Sequence, residues 1–183
     1  VSLFDRIRRV TTPLRPRGLA FEASLAEAPL RSELFSADQM EQHGRYLAGS
    51  HILARGRGRD QLLPRLTANE EILQSVFDQL TEAVTANRRV TPASEWLLDN
   101  FYLIEEQIRT AKRHLPRNYS RQLPRLAQGS SAGFPRVYDI ALETIAHGDG
   151  RIGLHGFSRF LTAYEGVTPL KLGELWAIPI MLR

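Results

Sequence analysis

The sequence contains no cysteine, which excludes disulfides, thiolate metal sites and a cysteine nucleophile. Long hydrophobic runs are also missing. Spanning a bilayer takes roughly 18 apolar residues, whereas the longest run, Leu175 to Leu182, is far shorter and contains Pro179. Arg6, Arg8 and Arg9 are followed by no apolar stretch, so the amino end does not read as a secretory signal. Lysine is scarce: only Lys112 and Lys171 among the 24 basic residues are lysines, and the rest are arginines. No segment shows the apolar–polar alternation of a half-buried strand.

What is there fits one globular domain. The chain has 183 residues, 43% hydrophobic and 24% charged, with a net charge of +4. That length and composition allow a real core and exclude a wholly disordered or collagen-like chain. Arginine's planar fork suits phosphate and carboxylate partners better than lysine does. A GC-rich genome produces the same preference, so nucleic-acid binding is the less favoured reading of it.

Residues 1–30 lack a sustained period and carry Pro13, Pro16 and Pro29 among several arginines. They read as a basic, loosely structured arm, with a helical domain expected over 31–183. The chain starts at Val1 and ends at Arg183 within an apolar run, which suggests a piece of something longer, cut at both ends. Ser36 with Gln39 forms a capping box opening a helix from Ala37 to about Leu53, with Met40, Leu47 and Tyr46 inward. Arg55-Gly56-Arg57-Gly58-Arg59 breaks it. Thr67 with Glu70 repeats the box before an apolar series from Ile72 to Val84.

Thr91-Pro92 starts a third helix lasting to Pro116. Leu97, Phe101, Ile104, Ile108, Ala111 and Leu115 trace its stripe, widened by Trp96 and Leu103 on one side and Leu98 and Tyr102 on the other. So wide an apolar face predicts the central helix of the fold. Pro135 opens a fourth helix closed by Gly148, and Asp149-Gly150 reads as a turn. Leu154 to Tyr164 forms a fifth, and Thr168-Pro169 caps a sixth containing Pro179. The expectation is an all-α, irregular bundle of five to six helices with no sheet.

Chemistry is sparse. The five histidines form no metal pattern, and His43 and His51 stand eight apart without carboxylates at ligand spacing. No metal ligands are expected. No Gly-x-Ser-x-Gly elbow exists. Gly56 and Gly58 resemble a phosphate loop, but no strand precedes them and no Gly-Lys-Ser/Thr follows. Glu105 and Glu106 are adjacent, so their carboxylates point about 100° apart on a helix and share no pocket face. Asn100 and Gln107 lie seven apart on one side of the third helix, beside Trp96. If buried, their amides need partners, since an unmet one costs about 1–3 kcal/mol.

The segment Leu97-Leu98-Asp99-Asn100-Phe101-Tyr102-Leu103-Ile104-Glu105-Glu106-Gln107-Ile108-Arg109 resembles the amino-terminal region of bacterial cyclic β-1,2-glucan synthases. So do Leu123 to Ala127, the run Pro135 to Gly150, and Thr168 to Arg183. The resemblance covers roughly Leu34 to Arg183. It implies a large inner-membrane transferase that builds protein-attached β-1,2-glucan from UDP-glucose and cyclises it. Its glycosyltransferase and phosphorylase-like domains would lie carboxy-terminal to this segment. The present chain has no Asp-x-Asp pair for a metal and nucleotide diphosphate, and no Arg-x-x-Arg before Trp96 or Trp176. No catalytic, cofactor or metal residue is therefore carried over.

The resulting expectation is a non-catalytic segment on the cytoplasmic side of the inner membrane, packed against the remaining domains of the synthase. Trp96, Asn100, Tyr102, Gln107 and Trp176 are its candidate contact or saccharide-stacking residues. The alternatives are a module holding β-1,2-glucan, or arginine-mediated contact with anionic lipid at the inner-membrane surface or with nucleic acid.

Overall fold

In the computed structural model, residues 33–56, 58–148 and 153–183 are described. The basic arm and the Asp149-Gly150 turn lie outside them. Among the described residues six α-helices follow in order: α1 (Ala37–Ser50), α2 (Leu62–Thr85), α3 (Pro92–His114), α4 (Arg136–His147), α5 (Leu154–Glu165) and α6 (Leu172–Met181). A 3-10 turn, Ser120–Gln122, precedes α4. The described residues form no strand, only isolated bridges from Leu53 to Leu126 and from Arg125 to Pro135. The all-α expectation holds.

Local chemistry explains most boundaries. The Ser36–Gln39 capping box is present on α1, and Thr91 caps α3 with Pro92 in its first turn. α2 ends with Asn87 in the left-handed region (φ 53°). There the Arg88 N–H reaches the Ala83 carbonyl and the Asn87 N–H reaches that of Val84, a Schellman closure.

Two helix starts differ from expectation. α2 begins at Leu62, because the Asp60 carboxylate accepts from the Leu62 and Leu63 amides and Pro64 is tolerated in the first turn. Thr67 is thereby left inside the helix, and Glu70 pairs with Lys112 of α3 instead of capping. α6 begins at Leu172 after Lys171, whose N–H donates to Glu174. Thr168 instead hydrogen-bonds the Ala48 carbonyl.

α1 packs on α5, α4 on α6, and α2 on α3. The core joins Met40, Leu47 and Ala48 of α1, Leu123 after the 3-10 turn, Val137 and Ile140 of α4, Phe160 and Tyr164 of α5, and Ala177 and Ile178 of α6. At Gly44 the α1 and α5 backbones approach so closely that a Cβ would lie 2.6 Å from the Phe160 carbonyl. Arg159 of α5 adds hydrogen bonds to Glu41 (2.6 Å) and Asp38 (2.7 Å) of α1.

The α3 helix is not central. It forms a hairpin with α2, held by Phe77 stacked on Phe101 (4.3 Å) and by the Glu70–Lys112 pair, and it meets the core beside α6. Its stripe Phe101, Ile108, Ala111 and Leu115 is buried. The flanks that widened its apolar face remain in solvent, with Trp96, Tyr102 and Leu103 exposed. Tyr46, expected inward on α1, is 72% exposed.

Candidate functional site

The five sequence candidates sit on α3 and α6. At 100° per residue, Trp96, Asn100, Leu103 and Gln107 share one side of α3, and Tyr102 lies about 120° from Trp96. The three aromatic candidates are largely open: Trp96 is 60%, Tyr102 62% and Trp176 70% exposed. Both amides are engaged. Asn100 donates to the Trp96 carbonyl one turn back at 2.8 Å, and the Gln107 oxygen accepts from Arg183 at 2.6 Å.

Tyr119, just beyond α3, donates its hydroxyl to the Gly173 carbonyl at 2.6 Å. Its partner lies at the start of α6, and Arg183 at the end of α6 meets Gln107, so α6 runs antiparallel to α3. Trp96 therefore lies about 16 Å along α3 from Gln107, and Trp176 lies towards the opposite end. The five residues are spread out, with Tyr102 on the other flank of α3 from Trp96 and Trp176 on a separate helix, and they do not close around one ligand.

Inside, the structure reveals polar groups that sequence reasoning missed. Arg136 opens α4 and Glu174 lies in the first turn of α6; they are 2% and 0% exposed. Arg136 donates through Nε (2.6 Å) and Nη2 (2.7 Å) to the two carboxylate oxygens, and Nη2 also reaches the Pro169 carbonyl at 2.9 Å. Burial alone would lower the guanidinium pKa, but the hydrogen bonds and charge of Glu174 hold it above its ordinary value. Nothing in local spacing marks the pair, because its members stand 38 residues apart on different helices.

A second chain of hydrogen bonds joins α4, α5 and the end of α1. Ser131 donates to Asp139, His51 Nε2 lies 3.1 Å from Asp139, and His51 Nδ1 lies 2.8 Å from the Tyr164 hydroxyl. A neutral imidazole satisfies both of its contacts, giving a proton to Asp139 and accepting one from Tyr164. Burial raises the Tyr164 pKa.

Burial also pushes the Asp139 carboxyl up, but hydrogen bonds from His51 and Ser131 outweigh it and hold the group below its usual 3.8. A carboxyl depressed in the folded state stabilises the fold above its unfolded value and loses that contribution as pH falls through the folded one. Unfolding free energy is therefore expected to fall below about pH 4. Asp139→Asn should show a flatter acid limb in urea melts across pH, and an unchanged limb would contradict this.

Two further groupings are partly open. An open cleft of ≈ 600 Å³ is lined by Arg121, Arg125, Arg136 and Lys171, with Gly56 and Thr168. Arg121 and Arg125 donate to the Gly58 and Gly56 carbonyls at 3.2 Å, so the arginine–glycine connection folds onto further arginines. Elsewhere arginines meet acids, as in Arg45 with Glu41 and Arg159 with Asp38.

At the other grouping, His43 of α1 meets Glu143 and His147 of α4, with ligand-capable atoms all within 4.8 Å. The expectation of no metal ligands rested on chain spacing, which cannot see across helices. The Glu143-x-x-x-His147 step on one helix face was the available signal.

No family model matches the chain. The chain is similar to cyclic beta-(1,2)-glucan synthase NdvB of Rhizobium meliloti (strain 1021), with 33% identity over 156 residues. The match takes in 84% of this chain and 5% of that protein. The resemblance read from the sequence is thus shown, and the chain spans about one twentieth of the relative's length. Among the described residues no helix is long and apolar enough to cross a membrane.

Proposed function

We propose that the chain is a non-catalytic helical segment of a cyclic β-1,2-glucan synthase, a membrane glycosyltransferase that makes cyclic glucan from UDP-glucose. In this reading it lies on the cytoplasmic side of the inner membrane. It packs against the remaining domains of the synthase and helps position the catalytic parts. The observation carrying the reading is the likeness to a glucan synthase along most of this chain and little of the relative. The exposure of Trp96, Tyr102, Leu103 and Trp176 agrees with it, since these are side chains that neighbouring domains of a larger protein would cover.

A saccharide-binding module is the second reading. Trp96, Tyr102 and Trp176 are open for stacking on sugar rings, and Asn100 and Gln107 share the Trp96 side of α3. Against it, both amides are engaged within the fold, and the aromatics are spread over α3 and α6. Calorimetric titration of the chain with linear β-1,2-glucan, cyclic β-1,2-glucan and UDP-glucose separates the two. The scaffold reading expects no saturable heat with any of them. Saturation by glucan at a millimolar or lower dissociation constant would replace scaffold with glucan holder.

A further inference from the structure

We propose that His43, Glu143 and His147 form a zinc-class divalent cation site that ties α1 to α4. Glu143 Oε2 lies 2.7 Å from His43 Nε2 and 3.3 Å from His147 Nε2. Tetrahedral zinc bound at about 2.1 Å separates its ligand atoms by about 3.4 Å. The His147–Glu143 spacing already matches. His43 needs to withdraw from Glu143 by about 0.7 Å, and the two imidazole nitrogens, which lie within 4.8 Å of each other, need to settle at the same separation.

The proton inventory points the same way. His147 Nδ1 lies 2.6 Å from the Glu33 carbonyl, which can only accept, so Nδ1 carries the N–H. A neutral ring then presents a bare Nε2 to a carboxylate oxygen, an arrangement needing either a second proton or a cation between them. His51 differs, since one neutral tautomer satisfies both of its contacts. Donation from the far ring nitrogen to a backbone carbonyl is also how proteins orient a metal-binding histidine.

The ring is held in place. Phe35 stacks on His147 at 3.8 Å with planes 8° apart, and the Phe35 N–H reaches the His147 carbonyl at 3.2 Å. His43 packs edge-on against His147 at 4.9 Å. The three side chains are between 11% and 30% exposed, leaving the fourth position of the ion to water. Two imidazoles and one carboxylate suit zinc better than magnesium or calcium, which prefer all-oxygen shells.

The test is titration of the chelator-treated 183-residue chain with zinc chloride, and separately with magnesium chloride, at pH 7.5. Calorimetry should give one zinc per chain at micromolar or tighter affinity, with magnesium at least 100-fold weaker. Saturating zinc should also raise the thermal midpoint by several degrees. Glu143→Gln preserves side-chain size, and circular dichroism verifies its helicity. It should lose at least tenfold in zinc affinity, and His43→Gln should do the same. Absence of zinc binding, or a folded Glu143→Gln chain that binds zinc as tightly as the parent, overturns the proposal.

Discussion

Replacing Glu174 with alanine is expected to lower the unfolding free energy by about 3–5 kcal/mol. The carboxylate is fully buried and accepts from Arg136 Nε, Arg136 Nη2 and the Lys171 amide. Its removal leaves a guanidinium in the interior with the Pro169 carbonyl as its remaining acceptor and the Tyr164 ring 5.9 Å away. Surface ion pairs are worth 0–1 kcal/mol, so the comparison is internal to the protein: removing the exposed partner Asp38 of Arg159 should scarcely register. In urea the midpoint for Glu174→Ala should fall with little change in slope. Desolvation costs both ions, so the double replacement Arg136→Met with Glu174→Leu should recover much of the loss. A single variant as stable as the parent would refute the buried pair.

Truncating Phe160 to alanine should cost a similar amount, about 3–5 kcal/mol. The ring is wholly buried, faces His43 at 6.2 Å, and sits where α5 crosses Gly44 of α1. Because the two backbones already touch there, the helices cannot close further over the space left behind, and the cavity cost persists. The thermal midpoint should drop by roughly 6–20 °C for a chain of this size. Leu154→Ala, on the same helix but 86% exposed, should stay within about 0.5 kcal/mol of the parent. Equal effects at the two positions would contradict the assignment of α5 as a core helix.

Helix type and most boundaries were legible because their causes are local: a serine cap, a proline in a first turn, apolar steps of three and four. The misplaced starts of α2 and α6 have local causes too, but rival ones. Asp60 outcompeted Thr67 as the cap for α2, and Thr168 found a carbonyl on α1. The central role expected of α3 failed for a different reason. A wide apolar face records that a helix has something to bury, not where the burying surface is. In this chain the short helices α1, α4, α5 and α6 bury one another, while α3 leans on α2 and leaves Trp96 and Tyr102 open. The polar groupings were hardly legible, the Glu143-x-x-x-His147 step on α4 being the one local signal. Arg136 with Glu174, His51 with Asp139 and Tyr164, and His43 with Glu143 and His147 each require partners from separate helices, which no spacing rule reaches.

Packing of this segment against the rest of a synthase would cover those open aromatics, and hydroxyl-radical footprinting reads them directly. Oxidation rates of Trp96, Tyr102 and Trp176 would be compared between the 183-residue chain and a full-length cyclic glucan synthase containing this segment, without added glucan. If the segment packs against the rest of the synthase, these side chains should oxidise several-fold more slowly in the full-length enzyme, while Tyr46 on α1 serves as an exposed reference within the same chain. Equal rates in the two samples, with protection appearing only when β-1,2-glucan is added, would contradict the scaffold and make the surface a saccharide site.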